Sequence, residues 1–119
     1  MYRQYFETDR VPLTQNQMLR MHWAERRRDA KWWATWLRLK GRPQAMRRRC
    51  HVKIHVRRWN LQDPDNLAAS VKHVLDGLVK ADWLVDDSPK WVKLEVTEEM
   101  DRRRKANAHR GTEIVVEEI

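Results

Sequence analysis

The chain has 119 residues, enough for one domain spanning 1–119 and too short to bury a large core unaided. Hydrophobic residues at 41% and charged residues at 35% exclude a disordered chain, and one cysteine, Cys50, excludes an intramolecular disulfide or a cysteine-rich zinc site. A net charge of +8, from 25 Lys and Arg against 17 Asp and Glu, points to a polyanionic partner, nucleic acid foremost.

The opening MYRQYFETDR carries no signal-peptide core, and no apolar run approaches the ~20 residues of a membrane span, so a soluble, cytoplasmic protein is expected. A short strand is predicted from Met1 to Thr8, then a loop through Pro12, Thr14 and Asn16. A helix is predicted over 17–40, its apolar stripe formed by Leu19, Trp23, Ala30, Trp33, Ala34 and Leu37. Gly41-Arg42-Pro43 ends it. Trp32 and Trp36 lie off the stripe, which suits either the core or a dimer interface. Next comes a strand with Cys50, Val52, Ile54 and Val56 on one face and His51, Lys53, His55 and Arg57 on the other.

A second helix is predicted over 65–80, burying Leu67, Val71, Val74, Leu75 and Leu78. On one continuous helix, Lys72 and Asp76 fall within about 20° of Asp65 on the opposite side. A turn through Asp86-Asp87-Ser88-Pro89 leads to a strand with Val92, Leu94 and Val96 inward, and a final strand runs over 112–119. The fold class expected is α/β (α+β): order βαβαββ, one mixed sheet of about four strands packed against two helices.

Charge distribution says more than total charge. Residues 63–87 hold Asp63, Asp65, Asp76, Asp82, Asp86 and Asp87 against Lys72 and Lys80, a net −4, so the remainder carries +12. An acidic island repels the phosphates that the rest attracts. A bound divalent cation resolves the conflict, since Mg²⁺ takes carboxylate oxygens on one side and phosphate oxygens on the other. The alternatives are structural: Asp65 as a helix N-cap, and Asp86-Asp87 as plain turn residues.

The residues Asp63-Pro64-Asp65-Asn66-Leu67, then Lys72, Asp76-Gly77-Leu78 and Trp83-Leu84-Val85-Asp86-Asp87, resemble the D-x-D-N-L…K-x-x-x-D-x-L…D-D signature of the RusA family of Holliday-junction resolvases. Asn16-Gln17, His22-Trp23 and Arg26 resemble a segment of its phage-type members. The resemblance covers about Pro12 to Val96. It implies a RusA-like fold and a homodimeric, Mg²⁺-dependent endodeoxyribonuclease (Mn²⁺ as a substitute) that cuts branched DNA, above all four-way junctions, in recombination and repair. No organic cofactor and no membrane partner are implied.

Carried over residue by residue, the resemblance places the metal-binding carboxylates at Asp63, Asp65 and Asp87, and an active-site lysine at Lys72. Asp76, Asp86 and Asn66 would support them. Relative to the family pattern Ala68-Ala69-Ser70 is extra, so Lys72 sits about one helical turn farther from the aspartate pair. The four-residue step from Lys72 to Asp76 is kept.

Among three basic runs, Arg47, Arg48 and Arg49 with Arg102, Arg103 and Arg104 are the expected phosphate contacts, and Arg26 to Arg28 is the third. The five histidines have no zinc-ligand spacing. Two other readings stand beside the resolvase: a non-catalytic basic nucleic-acid-binding module, and a nuclease for other branched substrates.

Overall fold

The computed structural model describes residues 3–41, 49–104 and 108–119. Its elements are β1 (Arg3–Thr8), α1 (Gln15–Arg20), α2 (Trp23–Arg38), β2 (Cys50–Arg58), α3 (Pro64–Ser70), α4 (Lys72–Lys80), β3 (Val92–Met100) and β4 (Gly111–Glu118). The four strands form one mixed sheet in the order β1-β4-β2-β3, with β2–β3 parallel and the other two pairings antiparallel. The expected α+β class and strand count hold. Among the described residues no helix is long and apolar enough to cross a membrane.

Strict alternation builds β2. Cys50, Val52, Ile54 and Val56 are buried against the helices, joined by Ile114 and Val116 of β4 and Phe6 of β1. The opposite sheet face is a lattice of cross-strand polar contacts: Lys53 Nζ meets Glu117 at 2.9 Å, Arg57 Nη1 meets Glu113 at 2.8 Å, and His55 approaches Glu99 at 3.3 Å. Each pair joins residues of adjacent strands, where side chains on one face stand close enough to interact.

Both helical stretches differ from the continuous helices expected. The first divides at Met21 and His22. Thr14 and Gln17 form a reciprocal capping box at α1, and His22 Nδ1 accepts from the Ala24 amide at 3.2 Å to start α2. The break turns the two N-terminal members of the expected stripe outward: Leu19 is 70% and Trp23 56% exposed, whereas Trp33, Ala34 and Leu37 are buried. Trp32 and Trp36 pack against the core as a stacked pair with ring centroids 5.7 Å apart. Arg10 lies over Trp32 and Lys40 over Trp36.

The second stretch breaks at Val71, whose ψ of 5° departs from helical values. Ser70 Oγ donates back to the Leu67 carbonyl at 2.7 Å, a local bond that competes with helix continuation, and Val71 is driven fully into the core. α4 then packs closely on α2 at Gly77. A Cβ there would stand 3.1 Å from both Ala34 N and Trp33 C. β3 lies at the sheet edge, so only Val92 of its inward set is buried, while Leu94 is 37% exposed. The expectation of three inward apolar residues is corrected in that respect.

Candidate functional site

The aspartate island occupies α3, α4 and the turn before β3. Asp63, not Asp65, is the N-cap of α3: its Oδ1 accepts from the Asn66 amide and its Oδ2 from Asn66 Nδ2, both at 3.0 Å. Pro64 occupies the first helical turn, where its missing N–H costs nothing. Asn66 thereby orients the Asp63 carboxylate. Each carboxylate oxygen can accept a second bond, so the cap leaves acceptor capacity facing solvent. Asp65 is exposed in the same first turn, where the helix dipole favours an anion.

The stretch that carries these residues is tied down at both ends by a buried charge pair. Arg58, 4% exposed at the end of β2, faces Glu98 of β3 across 3.4 Å and donates to Ser70 Oγ at the end of α3. Glu98 in turn accepts from the Gln62 amide, immediately before Asp63. Burial holds the Arg58 guanidinium below its ordinary pKa, with Glu98 opposing that shift. Nothing in the local pattern of β2 marked Arg58 or Glu98. The signal available was their place at inward positions of two parallel strands.

Asp76 is half-buried on α4, and Asp86 and Asp87 are exposed in the turn that follows. The Asp87 amide donates to Asp86 Oδ1 at 2.9 Å, which folds the turn as an Asp-led loop should. Partial burial, and then the nearby charges of Asp76 and Asp86, push the Asp87 carboxyl above its usual range. The chain thus brings Asp76 to Asp86 and Asp87.

Asp63 and Asp65 reside at the other end of the α3–α4 pair. Among the described residues no three Asp, Glu, His or Cys side chains form a group ready to hold one metal ion. Lys72 is exposed in the first turn of α4. The break at Val71 removes the premise that Asp65, Lys72 and Asp76 share one face of a single helix. It falls directly after Ala68-Ala69-Ser70.

Pairing separates these aspartates from most other acids of the chain. Glu7, Asp29, Glu95, Glu98, Glu99, Asp101, Glu113 and Glu117 each face a cation or a histidine within 4.0 Å. Among the described residues, none of Asp63, Asp65, Asp76, Asp82, Asp86 and Asp87 does so. In a chain with 25 Lys and Arg, these six aspartates of one segment therefore have no ion-pair partner among the described residues.

The expected phosphate contacts fare differently. Arg47 and Arg48 lie outside the described residues, and Arg49 is exposed before β2. Arg102 donates to the Trp59 carbonyl and to Asn60 Oδ1, and Arg103 makes a two-pronged contact with Asp101 at 3.0 and 2.9 Å. Both guanidinia therefore bond within the protein, Arg102 to the chain after β2 and Arg103 to Asp101. Of this run Arg104 alone is exposed with no such contact among the described residues. Asp101, which also accepts from the His109 amide, is held well below the usual carboxylate range by Arg103 and these amides.

A second polar node was not anticipated. Asp29 of α2, 4% exposed, accepts from Arg10 at 3.0 Å and meets His73 Nδ1 of α4 at 2.6 Å. It pins the loop after β1 to both long helices. No family model matches the chain, no curated protein matches it, and no solved structure matches it.

Proposed function

We propose that the protein is a metal-dependent endodeoxyribonuclease for branched DNA, with a four-way junction cut in two symmetric strands as its substrate. The reading rests on the resemblance to the RusA family given above. It is carried by one observation: among the described residues, none of six aspartates on one segment of a chain of net charge +8 faces a cation or a histidine. A divalent ion mediates between unpaired carboxylates and a phosphodiester by taking oxygens of both.

The donor set fits Mg²⁺. It consists of hard carboxylate oxygens, and Mg²⁺ is ordinarily held by one or two carboxylates with waters and substrate phosphates, not by an all-protein cage. Asp86 and Asp87 would hold one ion on the α4–β3 side, and Asp63 and Asp65 would hold another on the α3 side. When bound, the ion would supply an activated water and neutralise phosphate charge.

The chain's own residues do the remainder. Asn66 fixes the rotamer of Asp63, and the Arg58–Glu98 pair sets the position of that end of α3. Asp76 strengthens the negative field at Asp87. Lys72, exposed, would stabilise the extra charge that develops on the phosphoryl oxygens. A twofold dimer suits paired cuts, because two identical sites are then related as the two strands are.

The test is a labelled four-way junction and a matched linear duplex, each incubated with Mg²⁺ or with EDTA. Paired nicks in the junction alone, dependent on Mg²⁺ and lost in Asp65→Asn and Asp87→Asn with binding retained, are the expected result. Binding without cutting under either Mg²⁺ or Mn²⁺ rejects the enzyme. It would leave the non-catalytic module, a reading that the capping role of Asp63 favours. Cutting of flaps or forks in preference to junctions would retain the nuclease and change its substrate.

A further inference from the structure

Besides the arginine runs at 47–49 and 102–104, a further group of cations gathers on α2 and α4. Arg27, Arg28, Lys31 and Arg38 of α2 and Lys80 of α4 line a cleft of about 360 Å³ that contains no carboxylate. Among the described residues none of these five makes an ion pair, although eight acids elsewhere do. Ala30 and Ala34 form a small-residue floor that lets an incoming group approach the helix backbone. Arg38 Nη2 reaches across to the Lys80 carbonyl at 3.3 Å and joins the two helices at the end of the cleft.

We propose that this cleft is the track for the phosphate backbone of one nucleic-acid strand. The inference rests on the nucleic-acid reading above and deepens it by naming the surface. Like charges gathered without counter-charges repel one another, and a polyanion relieves that repulsion while its own counterions are released. Arg27, Lys31 and Arg38 are spaced along one stripe of α2. From Arg27 to Arg38 the helix rises about 16 Å, which matches roughly five nucleotides at 3.4 Å per step on one strand.

Two features give the track ends. At one, Arg27 lies over the ring of Trp23, 5.4 Å from its centroid, and Trp23 is 56% exposed, so a base leaving the stack finds an aromatic face beside a cation. At the other, Lys80 stands on α4 beside Arg38, one turn after Asp76.

The experiment is equilibrium binding of a labelled four-way junction, followed by fluorescence anisotropy in EDTA over a range of NaCl concentrations. Three proteins are compared: the unmodified chain, the Arg28→Gln/Lys31→Gln variant, and a Lys90→Gln/Lys93→Gln variant of equal net charge with both substitutions outside the cleft. Each lost phosphate contact lowers the slope of log K against log salt by about 0.9, so the cleft variant should lose roughly 2 while the control keeps its slope. All four substituted side chains are exposed, and unchanged melting temperatures verify the fold. If the unmodified chain binds and the cleft variant keeps its slope, or the control loses as much, this inference falls and the nucleic-acid reading survives. If the unmodified chain does not bind, both fall.

Discussion

Substituting Asp87 by Asn separates a carboxylate kept for chemistry from one kept for the fold. Asp87 sits with Asp76 and Asp86, and its carboxyl is raised above the ordinary value of 3.8. A raised folded-state pKa means that the ionised form is disfavoured in the folded chain. In metal-free protein, stability therefore falls as pH climbs from that ordinary value through the raised one, and it stays lower at neutral pH. Asn removes the cost. Because Asp87 is exposed and screened, the gain is that of a surface charge contact, about 0.5 kcal/mol.

The entropy of unfolding for a chain of 119 residues is about 0.25 kcal/mol per kelvin, so metal-free Asp87→Asn should melt about 2 °C higher than the unmodified protein. Mg²⁺ at a hundredfold excess over its Kd should stabilise the unmodified protein by about 2.7 kcal/mol, roughly 11 °C, and stabilise the variant far less. The assay is a thermal melt in EDTA and in graded MgCl₂, with NaCl added to hold ionic strength constant. A metal-free variant that melts lower than the unmodified protein would show that Asp87 supports the fold. An equal rise with Mg²⁺ in both proteins would remove it from the metal site.

Other outcomes follow from the geometry. Glu98→Gln leaves Arg58 as a buried, uncompensated charge and should cost about 3 kcal/mol in urea unfolding, whereas Arg58→Met with Glu98→Leu should recover most of it. Equal loss in the single and double variants would refute this account. Gly77→Ala gains about 1 kcal/mol of helix propensity but forces its Cβ against Ala34 N, Trp33 C and Leu37 Cδ1 at 3.1–3.2 Å. A net loss near 1 kcal/mol, or about 4 °C in Tm, is expected, and a rise in Tm would show that α2 yields freely. Asp101 has a depressed pKa, so its stabilisation is present above the ordinary value of 3.8 and is lost as pH falls below it. The Tm gap between the unmodified protein and Asp101→Asn should therefore be widest near neutrality and close in acid; a gap independent of pH would contradict the ion-pair account.

The strands were legible because alternation is a local property. The pleat sends successive side chains to opposite faces, so the pattern of β2 states its own burial, and 50, 52, 54 and 56 are buried as read. The order of elements and the aspartate island were equally open to reading. The interruptions at His22 and Val71 were not, since each depends on a side chain satisfying a particular backbone group, and the periodic stripe runs through both without a mark.

Pairing lay further out of reach. Which acids are neutralised depends on contacts such as Asp29 with His73 and Arg57 with Glu113, made between residues 44 and 56 apart in the chain. Composition counts cations and carboxylates, but only the tertiary structure assigns them partners. By that assignment Arg102 and Arg103 bond within the protein, while the cations of the α2 cleft and Asp63, Asp65, Asp86 and Asp87 are exposed. Sequence alone therefore determined that acid and base are segregated along this chain. The fold decided which of those charges remain free, because an ion pair is a matter of distance in space and not of separation in sequence.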